Sequence, residues 1–196
     1  MTASIIRTAV AMAATFLFVA CASSPPAPEP VSVPGLKNAH IVGDVVLASQ
    51  PTKEAVAALE QRYGIKTVLN LRQPEEVAPL GETDWVASLG LEYINIGFRE
   101  PATLTDDVFD RIRAVLRDPT RRPILVHCSS ANRVGAAWYA YRVLDEGADP
   151  AEALAEAKAT GLRKPGHIQR ALDYVAARLS RRKTALDHRG PEREGV

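Results

Sequence analysis

Apolar positions recur along this chain in two rhythms that take turns. Short runs of Val, Ile and Leu read as strands, and longer stretches with apolar residues at helical spacing read as amphipathic helices. "HIVGDVVLAS" (40–49) predicts a strand or short hairpin. "TKEAVAALEQRYG" (52–64) predicts a helix with Val56, Leu59 and Tyr63 on one stripe and Gly64 as its stop. "IKTVLNLR" (65–72) is a buried strand, "ETDWVASLG" (82–90) a short helix and "LEYINI" (91–96) a strand. "LTDDVFDRIRAVLRD" (104–118) is a helix capped by Thr105, with acids in its first turn and Val108, Ile112, Val115 and Leu116 facing inward. "PILVH" (123–127) is the next strand, and "RVGAAWYAYRVLDEG" (133–147) a helix with Trp138 and Tyr141 on its core stripe. Two helices follow. "PAEALAEAKATG" opens on Pro150, and "GHIQRALDYVAARLS" buries Ile168, Leu172, Val175 and Leu179. Strands joined through helices are parallel and covered on both sides. The expected fold is α/β: a central, mostly parallel sheet of four to five strands flanked by helices on both faces, with a ligand loop between the last strand and the helix after it.

The first residues break this rhythm. "MTASIIRTAVAMAATFLFVACASS" has one basic residue, Arg7, no acid, and an apolar run from Ala9 to Ala20. That is the pattern of an export signal over residues 1–22. "FVAC" resembles the lipobox of bacterial lipoproteins, in which the cysteine, here Cys21, becomes the lipidated first residue; Phe18 stands where that motif usually has Leu. Ordinary cleavage after Ala22 and an uncleaved anchor are the alternatives. Residues 23–34 are rich in Ser and Pro and read as an extended linker. The folded domain is expected over 35–180, and 181–196 as a charged, loose tail. The expected location is the cell envelope or periplasm, with the membrane reached through a lipid on Cys21.

Composition removes several classes. The 46% hydrophobic and 24% charged fractions are those of a globular chain rather than a disordered one. A formal net charge of +1, without a basic and aromatic surface, gives no footprint for nucleic acid. There is no Gly-rich dinucleotide loop and no metal-ligand spacing, so no cofactor and no metal are expected, and the domain is expected to be a monomer. The two cysteines are Cys21 and Cys128. With Cys21 lipidated or removed, Cys128 has no internal partner, and a lone thiol in an oxidising compartment calls for burial or catalysis as its reason.

"PILVHCSSANRVGAAWYAYRVL" (123–144) supplies that reason. Cys128 sits at the carboxyl end of a strand, where ligands bind in open α/β sheets. Ser129, Ser130, Ala131 and Asn132 are small enough to let their N–H groups turn inward as an anion nest. The following helix aims its positive end at the same place, and Arg133 adds a fork of donors suited to two phosphate oxygens. A thiol at a helix N-terminus beside an arginine is activated as a nucleophile.

The stretch resembles the strand–loop–helix signature of cysteine-based phosphatases. It is closest to the dual-specificity-like branch, and within it to the bacterial phosphatase family related to the β-lactamase-hydrolase-like proteins. "VLASQPTKEAVAALEQRYGIKTVLNLRQPEE" and "LEYINIGF" resemble the opening and middle strand of that family. The resemblance implies that Cys128 forms a phosphocysteine, that Arg133 binds the phosphoryl oxygens, and that His127 orients the loop and favours the thiolate. It implies a phosphorylated substrate or ligand. Arg72 is either a second anion contact or an ion-pair partner of Glu75 or Glu76.

The chain departs from the wider superfamily in three ways. Four residues, not five, separate Cys128 from Arg133, as in the bacterial branch. Ala131 replaces the usual loop Gly, and Val134 replaces the Ser or Thr that helps the thiolate leave. A proton donor should come from the loop after "YINIGF", which offers Glu100, Asp106 and Asp107; the two aspartates read as first-turn helix acids, leaving Glu100 as a candidate general acid. Two other readings are a rhodanese-like sulfurtransferase, whose loop has a similar length, and a pseudophosphatase that binds a phosphorylated partner. Asn70, where sulfurtransferases carry Asp, and His127 argue against the first.

Overall fold

The computed structural model describes residues 27–187. The export signal and Cys21 therefore lie outside the described residues. Six strands form one mixed sheet: β1 (Glu29–Pro30), β2 (His40–Val42), β3 (Val45–Ala48), β4 (Thr67–Asn70), β5 (Glu92–Asn95) and β6 (Ile124–His127). Their order across the sheet is β1-β2-β3-β6-β4-β5. β3, β6, β4 and β5 are parallel, and the β2–β3 hairpin and β1 add antiparallel strands at one edge. The sheet thus has more strands than the four to five expected, because "HIVGDVVLAS" forms two strands and the end of the linker forms another.

Alternate residues of the central strands face two separate cores, as the pleat requires. Val45, Leu47, Leu69, Ile124 and Val126 face α4 (Asp106–Arg117) and α5 (Asn132–Leu144). Val46, Val68 and Leu125 face α1 (Lys53–Tyr63) and α3 (Glu82–Ser88). Between β4 and α3 lies the short helix α2 (Pro74–Val77). α6 (Pro150–Ala159) and α7 (Pro165–Asp187) pack around α5, every residue of which is buried. A helix enclosed all round lets its first turn be fixed by neighbours rather than by solvent.

The helix ends follow from local chemistry. Thr52 and Thr105 accept from Ala55 N and Val108 N at 3.2 and 3.3 Å, and Gly64 closes α1 in the left-handed conformation. Three expectations shift. Phe109, rather than Val108, is the fully buried residue at the start of α4. Leu179 is exposed, because α7 continues through Asp187 and outruns the body it packs on; residues 181–187, expected as loose tail, are part of that helix. The last residues of the expected linker are also ordered. β1 pairs with β2, and Val31 and Val33 are buried against the α1 side of the sheet. Their alternate spacing places both side chains on one face. No helix among the described residues is long and apolar enough to cross a membrane.

Candidate active site

β6 lies at the centre of the sheet, between β3 and β4, and delivers Cys128 to its carboxyl end. Cys128 is fully buried, and its N–H donates to Ala48 O at 3.4 Å, which ties the start of the loop to β3. Beyond it the chain turns into α5 through Ala131, at φ 65°. The left-handed conformation that the family usually gives to Gly is thus adopted by Ala131. Room for its methyl group is made across the α6–α7 turn: a Cβ on Gly161 would lie 2.6 Å from Ala131 Cβ. An isolated antiparallel bridge between Ser49 and Ser130 ties the middle of the loop to the end of β3, while among the described residues no hydrogen bond is seen from the N–H groups of residues 129, 132 and 133. Unengaged donors at the head of a 13-residue helix make an anion-binding nest.

Arg133 is almost wholly buried beside this nest. Its Nη1 donates to Glu76 Oε2 and to Phe98 O, both at 2.7 Å; its Nη2 donates to Glu76 Oε1 at 3.0 Å and Ser129 Oγ at 3.2 Å. The forked pairing fixes the plane of the guanidinium. Burial works against the Arg133 charge, but the Glu76 hydrogen bonds and the nearness of Cys128 outweigh it, so its pKa is raised. The Arg133 hydrogen bond holds the Glu76 carboxyl down at about 2, against the opposing effect of burial.

That shift has a defined sign. Ionised Glu76 stabilises the folded chain fully above its ordinary value of 4.5, and the contribution is lost as pH falls toward about 2. Thermal unfolding of the native chain and of Glu76→Gln should therefore differ at neutral pH and converge on acidification. A difference that stayed constant down to the acid limit would mean that Glu76 does not titrate against Arg133.

The cleft over the loop has a volume of about 200 Å³ and is lined by Glu76, Arg99, Glu100, Ser129, Ser130, Asn132, Arg133, Lys164 and His167. The structure thus brings Ser129, Ser130, Asn132, Arg133 and Glu100 together, with Cys128 and Ala131 buried beneath them. Asn132 Oδ1 accepts from Arg163 N and Lys164 N at 2.9 and 2.8 Å, so its side chain fastens the α6–α7 turn to the loop rather than facing a ligand. Val134 is buried in the same core as Cys128, and no hydroxyl stands at that position.

Of the two readings of Arg72, the structure gives the ion pair with Glu76 and corrects the second anion contact. Arg72 does not line the cleft. Its Nη1 donates to Gln50 Oε1 at 2.6 Å, its Nη2 to Glu76 O at 3.0 Å, and its Nε lies 3.7 Å from Glu76 Oε1. Arg72 braces the carboxylate that braces Arg133. Asp106 pairs with Arg170 at 2.6 Å, and Asp107 lies 3.9 Å from Arg111, so both are helix acids as expected. Glu100 is exposed, 4.0 Å from Arg99.

Three site residues were not foreseen. Glu76 was read only as an Arg72 partner. His167 was read as part of a helix start. Glu82 is buried behind the nucleophile, its Oε1 2.8 Å from His127 Nε2 but out of line for a hydrogen bond. Its Oε2 accepts from Asn70 Nδ2 at 2.8 Å and from Gln50 Nε2 at 3.3 Å. His127 is wholly buried, and its carbonyl accepts from Leu71 N at 2.9 Å, so it joins β6 to the end of β4 as well as preceding the thiol.

A buried cysteine at the end of a central parallel strand, a nest of free amides and a braced arginine at the head of the next helix define the cysteine-based phosphatases. The chain belongs to a family within that class: residues 40–172 match the model of the DSP-PTPase phosphatase fused to NAD+ kinase. The curated relative inositol diphosphatase SIW14 of Saccharomyces cerevisiae is 26% identical over 101 residues, which cover 50% of this chain and 35% of that protein. The aligned stretch therefore spans about a third of that relative's length. Among solved structures, TpbA of P. aeruginosa superposes with a TM-score of 0.60 at 23% identity, covering 79% of this chain and 91% of that one. The core catalytic domain of SIW14 from S. cerevisiae, solved with citrate, gives 0.63 at 20% identity, covering 80% and 96%. The family match sets the chain with phosphatases and not with the sulfurtransferases whose loop is of similar length.

Proposed function

We propose that the chain is a phosphomonoester hydrolase of the cell envelope that works through a phosphocysteine. The observation that carries this reading is buried Cys128 at the foot of a loop whose unengaged N–H groups open onto the head of α5, with Arg133 locked beside it. In the first step Cys128 Sγ attacks phosphorus; the S–P bond forms as the P–O bond breaks, and the electron pair goes to the leaving oxygen. The nest and Arg133 hold the phosphoryl oxygens as charge develops. The leaving oxygen takes a proton from Glu100. Glu76, the other carboxyl lining the cleft, is bonded to Arg133 through both oxygens, which leaves Glu100 as the candidate donor. In the second step water attacks phosphorus and gives a proton to the Glu100 carboxylate as the S–P pair returns to sulfur.

The cleft also bears on the substrate class. Among the described residues no Phe, Tyr or Trp lines it, while Arg99 and Lys164 do. This favours a leaving group that carries its own negative charge over one that must stack on a ring. The names of the relatives span both kinds. A cysteine-to-serine variant of TpbA was solved with phosphotyrosine, and SIW14 is named an inositol diphosphatase. Phosphate release from p-nitrophenyl phosphate and from a polyphosphorylated inositol tests the reading and ranks the two. Thiocyanate formed from thiosulfate and cyanide, without phosphate release, would sink it. Phosphate binding without turnover would replace it with the pseudophosphatase reading, which Val134 favours.

The envelope location rests on the apolar run that ends at Cys21. Mass spectrometry of the mature N-terminus should find a diacylated Cys21; a free Ser23 start would exclude the lipid.

A further inference from the structure

His167 is a buried, cleft-lining side chain that the steps above do not use. It is 2% exposed although it stands in the first turn of α7. Its Nε2 lies 3.1 Å from the Arg99 carbonyl oxygen. A carbonyl only accepts, so Nε2 carries the proton. Burial pushes the imidazole below its ordinary value of 6.5, and at neutral pH the ring is the neutral Nε2–H form. Charged groups face it from each neighbouring element: Lys164 from its own turn, Glu100 from the segment after β5, and Arg133 from the head of α5.

The carbonyl that His167 holds is the middle one of three. Phe98 O accepts from Arg133 Nη1 at 2.7 Å, and Glu100 O accepts from Thr103 Oγ1 at 2.8 Å. Three consecutive carbonyls, 98 to 100, are each fastened by a side chain. α7 also presses on this segment directly: a Cβ on Gly166 would come within 2.8 Å of Pro101 Cγ. The backbone that carries Glu100 cannot swing without giving up these bonds, and an acid held in place needs no reordering when the ester binds.

We propose that His167 is a positioning residue that sets where the Glu100 carboxyl stands over the phosphoryl site, so that the acid segment is in place before substrate arrives. The inference rests on the reading of Glu100 as the proton donor, and its test separates the two. Phenyl phosphate has a poor leaving group that needs a proton; p-nitrophenyl phosphate has one that departs without help. Turnover of the second therefore reports folding and the Cys128–Arg133 half of the site.

His167→Leu should slow phenyl phosphate about tenfold and p-nitrophenyl phosphate less than about twofold. His167→Gln, whose amide N–H can reach the same carbonyl, should restore most of the loss. Glu100→Gln should discriminate in the same sense and more strongly, by about 10²-fold. Should His167→Leu not fold, His167→Asn, too short to span to Arg99 O, gives the same comparison. If Glu100→Gln discriminates and the His167 variants slow both esters equally, or neither, His167 is packing and the proposal falls alone. If Glu100→Gln does not discriminate, the reading of Glu100 falls and takes the proposal with it.

Discussion

Cys128→Ser should abolish hydrolysis of an aryl phosphate and leave phosphate binding in place. The change removes one sulfur from a fully buried position and touches none of the donors of the nest. Arg133 keeps its four hydrogen bonds to Glu76, Phe98 and Ser129. What is lost is the nucleophile: a hydroxyl stays protonated at neutral pH and attacks poorly without a base to take its proton. Glu76 is committed to Arg133, and Glu100 is assigned to the leaving group. The expected loss is at least about 10³-fold in kcat, a scale typical of removing a covalent catalyst. Calorimetry with inorganic phosphate on the same variant should give binding close to that of the native chain. Near-native turnover would mean that another group attacks phosphorus.

Arg133→Lys should fail in a different way, losing binding and rate together. Lysine keeps the charge but presents donors from one nitrogen, while Arg133 spans both oxygens of Glu76, the Phe98 carbonyl and Ser129 Oγ. One charge-assisted hydrogen bond is worth roughly 1.5–3 kcal/mol, so losing one costs about one to two powers of ten in rate. The variant also frees the Phe98 carbonyl, which anchors one end of the segment that carries Glu100. Poor leaving groups should therefore suffer more than good ones. The two variants together make the measurement sharp: phosphate affinity survives in Cys128→Ser and drops in Arg133→Lys. Equal affinity in both would remove Arg133 from the phosphoryl site.

The parts of this protein that were legible in the sequence are those whose signal is local. The short apolar runs in "TVLN" and "ILVH", the helical spacing in "VFDRIRAVL" and the step from an apolar strand through small residues to Arg133 each sit within a few residues, and each became the element expected. The residues that brace the site carry no such signal. Glu76 in "PEE" reads only as a partner of Arg72 and Glu82 in "ETD" only as the start of a short helix, yet one is bonded to Arg133 and the other is buried beside His127. His167 in "PGHIQ" looks like an ordinary helix start until α7 is laid against the Arg99–Pro101 segment. Their burial is decided by elements far off in the chain, so periodicity does not report it. Arg72 left two readings open for the same reason, and the ion pair with Glu76 is the one formed, because Gln50 and Glu76 reach it before any ligand in the cleft could. Val31 and Val33 did carry a local alternation, hidden among the prolines of a segment taken to be unstructured.

The pairing of β1 sets the end of the sheet from which the chain ahead of it departs. β1 runs antiparallel to β2, and β2 antiparallel to β3, so β1 points in the same direction as β3 and β6. The chain ahead of Glu29 therefore departs from the end of the sheet where β6 begins, opposite the end where Cys128 lies. Were Cys21 to carry a lipid, as proposed above, seven residues would separate it from the first strand, a span of at most about 25 Å when fully extended. The tether would then join the domain at the end of the sheet away from Cys128, and the cleft would open on the side opposite the point of attachment.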